Sequence, residues 1–429
     1  MTKSTSSAKI VYVLLDGVGD LPHKDLNNLT PLDAAQTPNL DRLAQNGCMG
    51  RTITVREGIA PQSDVAVFSM LGYSFENDHY VGRGVVEAIG CDIEFHNGDL
   101  ALRGNFATID AHSRIIDRRA GRNIAAYEAE SICRTLTERL KFDSPGISCV
   151  IKPTIAHRLI VRFSHKNFRF SDKITNTDPA YSKIQGIGVV NQTAEEIRLV
   201  ESQPEDSSKA AIVSAKTVNE FSNQVVNVLK DHPINERRKK AGKPIINAVL
   251  LRDAGNKLPR LEPISTKYNL ETAAVVDMPV EIGISRILGM EILQVKESND
   301  YKTKALVVAE KLRNTGCCVY IHLKGPDEFG HDGDAIGKKK SIEEIDRSFF
   351  GSLRDYLSAE MEPLIIVSAD HSTPCIKKAH SADPVPVLFS GRKVKKDGSK
   401  RFTEKYGLIG SLGQLKGSTV LEIALSSIN

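Results

Sequence analysis

The stretch CCVYIHLKGPDEFGHDGD (317–334) joins a short apolar run to a strongly charged segment. Its last nine residues, PDEFGHDGD, contain four carboxylates and one histidine. The apolar part is continuous rather than alternating, which is typical of a strand buried on both faces of a parallel sheet. Similar runs occur at KIVYVLLDG (9–17), INAVLLRDAG (246–255), TAAVVDMP (272–279) and PLIIVSADHS (363–372). Together they predict the strands of one largely parallel sheet.

Helical patterns lie between these predicted strands. TPNLDRLAQNG (37–47) has a proline near its start and a glycine at its end, which are common helix boundaries. VEIGISRILGM (280–290) is a second helix candidate. The alternation of strands and helices predicts an α/β fold in which helices cover both faces of the sheet.

The middle of the chain has a different pattern. From about residue 95 to 240 the strand candidates alternate, as in IAHRLIVRF (155–163), and polar stretches such as ESQPEDSSK (201–209) interrupt them. We therefore predict a smaller α+β domain at 96–239, inserted into a core domain formed by 1–95 and 240–429.

Composition narrows the class of protein. The chain has 429 residues, 41% hydrophobic and 26% charged, with a net charge of +4. This charge is too small to indicate nucleic-acid binding by itself. The basic clusters at 236–243 and 391–401 lack aromatic residues for base stacking, so we interpret them as solvated loops. We predict neither a nucleic-acid nor a membrane partner, because no apolar run approaches the roughly 18 residues of a membrane span.

The cysteines and the N-terminus predict a location. Seven cysteines, an odd number with no CxxC pair, argue against a disulfide framework and a structural zinc site. The polar start MTKSTSSA precedes an apolar run, 10–15, that is too short for a signal-peptide core. These features predict a cytoplasmic protein; they do not indicate its oligomeric state.

Aspartate and histidine follow three of the predicted strands. The residues are Asp16, Asp327, His331, Asp370, His371 and, nine positions further on, His380. Ligands of open α/β sheets gather at the carboxyl ends of the strands. Carboxylates brought together there would repel one another unless a cation lay among them. Taken singly, each aspartate also suits a turn or a helix cap, but the set predicts a divalent metal site of Mn²⁺, Zn²⁺, Co²⁺ or Mg²⁺.

Ser63 is the candidate nucleophile. It lies in APQSDVAVFSMLGY (60–73), where Pro61 precedes a run with helical spacing. A helix N-terminus favours an anion, and a divalent ion activates a hydroxyl group. A serine at this position also suits an N-cap. The metal ligands elsewhere in the chain favour the nucleophile.

These motifs resemble those of the alkaline phosphatase superfamily. LLDGVGD, TPNLDRLA, the pair Ser63–Asp64, DEFGHDGD, SADHSTP and AHSADPVPV occur in the order of that superfamily. More closely, the chain resembles the archaeal type of cofactor-independent (2,3-bisphosphoglycerate-independent) phosphoglycerate mutase. The stretches that carry this resemblance are LGYSFENDHYVGRGVVEAIG (71–90), LALRGNFATID (100–110), IIDRRAGR (115–122) and HLKGPDEFGHDGD (322–334). The resemblance implies an alkaline-phosphatase-like three-layer sandwich with the insert.

The resemblance also implies roles for individual residues. One metal site would comprise Asp16, Ser63, Asp370 and His371, and the other Asp327, His331 and His380. Ser63 would be phosphorylated during turnover. The implied substrate-binding residues are Asp117, Arg118, Arg119, Arg122, His157, Arg158, Arg252 and Lys324, although the arginines also suit a solvated surface. Two positions depart from the family pattern, because Gln62 and Asp253 stand where glycine is expected.

The implied activity is the interconversion of 3-phosphoglycerate and 2-phosphoglycerate in glycolysis and gluconeogenesis, with two divalent ions and no 2,3-bisphosphoglycerate. A metal-dependent phosphatase of the same superfamily is the alternative enzyme, and a non-catalytic binder of phospho-ligands is a third hypothesis. An inserted domain that excludes water favours the mutase, because water would hydrolyse a phosphoserine.

Overall fold

The computed structural model describes residues 8–75, 81–184, 187–190, 197–357 and 361–428. For 182–184 and 187–190 it describes the backbone only. The strands are β1 Ile10–Leu15, β2 Gly47–Ile53, β3 Leu100–Ile109, β4 Ile115–Asp117, β5 Ile147–Pro153, β6 Arg158–His165, β7 Tyr181–Ile184, β8 Ile187–Val190, β9 Ala248–Gly255, β10 Thr272–Val275, β11 Glu291–Ile292, β12 Cys318–Leu323, β13 Leu364–Ser368, β14 Val385–Ser390 and β15 Gly413–Lys416.

The α-helices are α1 Pro31–Ala34, α2 Pro38–Gln45, α3 Ser63–Met70, α4 Arg83–Gly90, α5 Ala126–Arg139, α6 Lys209–Leu229, α7 Pro233–Lys240, α8 Ile264–Tyr268, α9 Pro279–Ile287, α10 Tyr301–Asn314, α11 Pro326–Asp332, α12 Ala335–Ile345, α13 Gly351–Tyr356, α14 Glu404–Ile409 and α15 Val420–Ser426. Within the described ranges, no helix is both long enough and apolar enough to cross a bilayer.

The chain divides into two compact units. The first, which we call the parallel-sheet unit, comprises Met1–Phe75, Leu261–Asp277 and Ile284–Asn429. The second, the antiparallel-sheet unit, comprises Glu76–Arg260 and Met278–Gly283. The insert predicted at 96–239 lies within the range of the second unit, and its limits stay a prediction.

An eight-stranded sheet forms the centre of the parallel-sheet unit. Its strand order is β11-β10-β12-β1-β13-β14-β2-β15. Every neighbouring pair is parallel except the two that involve β14. β1, β12 and β13 are adjacent and parallel, so their carboxyl ends meet at one edge.

Both faces of this sheet are covered by helices. Side chains alternate between the faces of a strand. Val11 and Val13 of β1 belong to a core cluster that includes Ala305 of α10 and Ile342 of α12. Tyr12 lies on the opposite face, where its hydroxyl group donates to the carbonyl oxygen of Met70 in α3 at 2.7 Å. The burial of β1 on both faces explains its continuous apolar sequence.

The antiparallel-sheet unit contains a five-stranded sheet. Its order is β4-β3-β6-β5, and β9 pairs with β3. All of its pairs are antiparallel. Leu102 and Phe163 of the sheet pack with Val218 and Phe221 of α6 and with Ile132 of α5 in one core cluster. The unit is therefore α+β.

The predicted fold class, α/β with a large and mostly parallel sheet, is confirmed. For one predicted strand, the expected pairing in the parallel sheet was wrong. The run 246–255 was expected in the parallel sheet, but β9 pairs antiparallel with β3. All eight residues of β9 are buried. An antiparallel strand with both faces covered has the same continuous apolar pattern as a buried parallel strand.

Candidate metal centre

Three adjacent strands bring the predicted ligands to one edge of the large sheet. Asp16 follows β1 directly, and Asp370 lies two residues after β13. β12 leads through Gly325, with φ of 133°, into α11, whose first turn contains Asp327. The positive φ at this turn favours glycine. The turn at Gly325 thus places Asp327 close to the carboxyl end of β12.

The first ligand cluster consists of Asp16, Asp370 and His371. One ligand atom from each lies within 4.8 Å of the others. Nε2 of His371 lies 3.6 Å from Oδ1 of Asp16 and 3.1 Å from Oδ2 of Asp370. All three residues are buried. This is a compact O,O,N donor set.

The carboxylates of the first cluster fit a bound cation. Oδ1 of Asp16 and Oδ2 of Asp370 are buried, and neither accepts a hydrogen bond from any residue that the structure describes. A buried carboxylate oxygen without a donor is costly unless a positive charge lies beside it. Mixed carboxylate and imidazole ligands suit Mn²⁺, Co²⁺, Zn²⁺ and Mg²⁺.

The second ligand cluster consists of Asp327, His331 and His380. Asp327 and His331 are four residues apart on α11, and Nε2 of His331 lies 3.5 Å from Oδ2 of Asp327. Nε2 of His380 lies 3.5 Å from Oδ1 of the same aspartate. The other ring nitrogen of His380, Nδ1, contacts the carbonyl oxygen of Pro61 at 2.8 Å. That contact orients the ring and leaves Nε2 available as a ligand atom.

The two clusters adjoin each other. The rings of His371 and His380 are stacked, with their centroids 3.7 Å apart. Thr373 also connects the clusters, because its hydroxyl group donates to Oδ1 of Asp327 at 2.6 Å and lies 3.0 Å from Nδ1 of His371. The six ligands and Thr373 therefore form one continuous site.

Ser63 lies beside the first cluster. It is the first residue of α3, and its Oγ lies 3.2 Å from Nε2 of His371. The N-cap position belongs to Gln62, whose side chain makes no capping hydrogen bond within the described part of the chain. The alternative interpretation of Ser63 as an N-cap is therefore wrong. Its hydroxyl group instead faces the ligand cluster at the positive end of the helix.

Burial and opposite charge set the pKa values of the first cluster. Burial raises the pKa of the Asp16 carboxyl, and the ammonium group of Lys324 only partly offsets this. For Asp370, burial again favours the neutral form, but the charges of His371 and His322 lower its pKa below the usual range. Burial alone would lower the pKa of His371, but the charge and hydrogen bond of Asp370 oppose burial, and the pKa is raised. The cluster therefore attracts positive charge.

Lys324 and His322 also reach the first cluster. Lys324, predicted from the resemblance to bind substrate, has its Nζ 3.1 Å from Oδ2 of Asp16. His322, which is fully buried, was not predicted from the sequence. Its Nε2 lies 3.7 Å from Oδ1 of Asp16 and 3.6 Å from Oδ2 of Asp370. The signal was a histidine within the otherwise apolar strand CVYIHL.

In the antiparallel-sheet unit, two of the predicted substrate-binding arginines share one carboxylate. Nη2 of Arg118 lies 2.7 Å from Oδ2 of Asp178, and Nη1 of Arg252 lies 3.1 Å from the same oxygen. Both guanidinium groups lie over the ring of Tyr181, at 5.2 and 4.3 Å from its centroid. Neither Asp178 nor Tyr181 was predicted from the sequence.

The other predicted substrate-binding residues of this unit have varied environments. Asp117 accepts hydrogen bonds from the backbone N–H groups of residues 119 and 121, so it stabilises its own loop. Arg119 is half-buried and Arg122 is exposed. Burial, with the charge of Arg158, lowers the pKa of His157 to about 3. Burial, followed by the charge of Arg103, lowers the pKa of Arg158 to about 10.

Known proteins resemble this chain over nearly its whole length. Residues 44–235 match the family model of 2,3-bisphosphoglycerate-independent phosphoglycerate mutase. A protein of that name from Aeropyrum pernix is 40% identical, and the match covers 95% of this chain and 96% of the relative. Another from Pyrococcus horikoshii is 34% identical and covers 98% and 97%.

Two solved structures are also similar. A protein from Pyrococcus horikoshii has 28% identity and a TM-score of 0.77, with 99% of this chain and 98% of that chain covered. The cofactor-independent phosphoglycerate mutase from Thermoplasma acidophilum has 30% identity and a TM-score of 0.63, with 98% and 100% covered. The family predicted from the motifs is confirmed: this chain belongs to the 2,3-bisphosphoglycerate-independent phosphoglycerate mutases.

Proposed function

We propose that this enzyme interconverts 3-phosphoglycerate and 2-phosphoglycerate through a phosphoserine at Ser63, with two divalent ions bound by the two ligand clusters. The observation that carries the proposal is the position of Ser63, whose Oγ lies 3.2 Å from Nε2 of His371 at the start of α3. Asp16, Ser63, Asp370 and His371 would hold one ion, and Asp327, His331 and His380 the other. Bound there, divalent ions lower the pKa of a nearby hydroxyl group and neutralise charge on phosphoryl oxygens.

The reaction consists of two phosphoryl transfers. In the first, Oγ of Ser63 attacks the phosphorus of 3-phosphoglycerate, and the bond between phosphorus and the C3 oxygen breaks. The proton of the serine hydroxyl group is transferred, in balance, to that C3 oxygen, which gives glycerate. In the second, the C2 oxygen of glycerate attacks the phosphoserine, and the bond between phosphorus and Oγ breaks. The proton of the C2 hydroxyl group is transferred, in balance, to Oγ of Ser63 as 2-phosphoglycerate forms.

Charged groups in each of the two units support this chemistry. The N–H groups at the start of α3 and the ammonium group of Lys324 supply positive charge for a phosphoryl group near Ser63. Arg118 and Arg252 are candidates for binding the carboxylate of glycerate, since a guanidinium group can grip a carboxylate through two hydrogen bonds. Asp178 and Tyr181 would orient these arginines.

Ser63→Ala tests the proposal directly. We expect it to lower the rate of 2-phosphoglycerate formation at least 100-fold, assayed without added 2,3-bisphosphoglycerate, while two equivalents of Mn²⁺ still bind. Ser69→Ala, in the same helix, is the matched control and should keep its activity. In the wild-type protein, rapid quenching and mass spectrometry should locate the phosphoryl group on Ser63.

Two results would contradict the proposal. Retention of more than about a hundredth of the wild-type rate by Ser63→Ala would show that this hydroxyl group is not the nucleophile. Release of inorganic phosphate from 3-phosphoglycerate, without 2-phosphoglycerate, would instead identify the alternative, a phosphatase.

A further inference from the structure

Lys338 is a fully buried lysine of α12. It contacts the loops that carry the candidate metal ligands and is not itself a candidate ligand. Its Nζ lies 2.8 Å from Oδ2 of Asp20 and donates to the carbonyl oxygens of Gly19 at 3.1 Å and Thr373 at 2.9 Å. An ammonium group has three donors, and all three are used here. Burying a charge is costly unless it is paired in this way.

The partners of Lys338 belong to the two loops that carry the first ligand cluster. Loop A (16–20) begins with Asp16, and loop B (370–375) begins with Asp370 and His371. The loops are also joined directly, because Thr373 N–H donates to the carbonyl oxygen of Gly19 at 3.0 Å. Gly17 N–H donates to Oδ1 of Asp370 at 3.1 Å. Lys338 is the cation at the centre of this junction.

Asp20 extends the junction. Its Oδ1 accepts hydrogen bonds from the N–H groups of Leu21 at 2.7 Å and Cys375 at 3.1 Å. One carboxylate therefore holds both loop A and the end of loop B, and Lys338 neutralises it.

The junction also reaches the second ligand cluster through Thr373. The carbonyl oxygen of Thr373 accepts from Lys338, while its hydroxyl group donates to Oδ1 of Asp327. Displacement of the Thr373 backbone would therefore move a hydrogen bond that orients a ligand of the second cluster. In metal sites, partners of the ligands commonly change the metal affinity 10- to 100-fold.

We infer that Lys338 is a positioning residue for both metal clusters: through Asp20 and Thr373 it sets the geometry of the loops that carry the ligands. This inference rests on the proposed function, because it requires that the two clusters bind divalent ions. Lys338 holds the backbone of loops A and B in the arrangement that the metals require.

The test is Mn²⁺ binding to metal-free full-length protein, measured by isothermal titration calorimetry. Lys338→Met keeps a long side chain without the charge, and we expect at least tenfold weaker binding at both sites. Lys340→Met is the matched control, because Lys340 lies on the same helix but is exposed. It should bind Mn²⁺ with wild-type affinity. Circular dichroism of the metal-free proteins, which should match, separates a positioning effect from loss of the fold.

Asp20→Asn is the second variant. It tests whether the pair of Asp20 and Lys338 positions the metal ligands if Lys338→Met does not fold. It keeps the size of the side chain and removes the charge that Lys338 neutralises, and we again expect at least tenfold weaker binding. Wild-type affinity in the folded Lys338→Met protein, or in Asp20→Asn where only that variant folds, would overturn the inference. So would equal weakening in Lys340→Met. If the wild-type protein bound no Mn²⁺, the proposed function would fail and this inference with it.

Discussion

At the residue scale, Asp253 shows how a departure from the family pattern is accommodated. Its φ is 59°, in the left-handed region that favours glycine. Its Oδ2 lies 3.3 Å from Nη1 of Arg103 and 3.5 Å from Nε of Arg252. The side chain therefore pairs with two buried guanidinium groups and orients Arg252 from its backbone side. The left-handed φ suits the glycine expected at this position, and the two arginines explain how aspartate is accommodated instead.

Asp253→Asn removes this charge and keeps a residue that tolerates positive φ. We expect the free energy of unfolding to fall by about 1–3 kcal/mol, because two buried arginines lose part of their charge compensation. Urea denaturation measures the change. Asp92→Asn is the control, since Asp92 also has a positive φ, 57°, but is exposed. Its stability should change by less than about 0.5 kcal/mol, and equal losses in both variants would contradict the explanation.

The sequence indicates the candidate ligands more readily than the residues that contact them. Asp16 and Asp370 are recognisable because each follows a continuous apolar strand, and the order of such strands indicates a shared edge. Lys338 is one of three consecutive lysines at 338–340, and nothing in that run distinguishes the buried one. Thr373 likewise acquires its role only when loop B meets α11. These roles depend on tertiary neighbours that no local pattern encodes.

At the element scale, α11 presents Asp327 and His331 on one face, and its close approach to loop B depends on Gly330. A Cβ atom at Gly330 would collide with the carbonyl oxygen of Thr373, which is backbone and cannot rotate away. The helix therefore lies against loop B only with glycine at this position. This close approach lets the Thr373 hydroxyl group reach Asp327.

Gly330→Ala should separate α11 from loop B. We expect a lower melting temperature and weaker binding of one of the two Mn²⁺ equivalents, because Asp327 and His331 shift while the first cluster keeps its own strands. Calorimetry of unfolding and of Mn²⁺ binding measures both effects. Gly351→Ala is the matched helical control. Its added Cβ meets Asn39 Nδ2 at 3.4 Å, an ordinary contact, so alanine should leave metal binding unchanged. Normal Mn²⁺ stoichiometry and affinity in Gly330→Ala would contradict this account.

A continuous apolar sequence does not distinguish a buried parallel strand from a buried antiparallel one. β1, β12 and β13 were predicted correctly because continuous apolar sequence and burial on both faces agree. β9 has the same pattern for a different reason. Val249 and Leu251 pack in one cluster, and Ala248 and Leu250 pack in another. Its antiparallel pairing with β3 depends on residues about 150 positions away, which the apolar pattern of β9 alone does not specify.

At the scale of the whole molecule, each unit has its own hydrophobic core. The parallel-sheet unit contains all six candidate ligands of the two clusters, together with Ser63 and Lys324. The antiparallel-sheet unit contains Arg118, Arg252 and the carboxylate that they share. The candidate residues for phosphoryl transfer thus lie in one unit and the candidate glycerate-binding residues in the other. Removal of the metals should therefore affect the backbone of the parallel-sheet unit and not that of the antiparallel-sheet unit.

Hydrogen exchange measured with and without EDTA tests this expectation. Ions that bind only the native state stabilise it by RT ln(1 + [L]/Kd), about 2.7 kcal/mol at 100 times Kd. We expect chelation to accelerate amide exchange in loops A and B and in α11 by up to about 100-fold. Exchange in β3, β6 and β9 should not change, because those strands contribute no ligand. Re-addition of Mn²⁺ should restore the slow exchange, which distinguishes metal loss from irreversible damage. Uniform acceleration in both units would show that the metals stabilise the fold as a whole, and no acceleration anywhere would show that the clusters do not bind them.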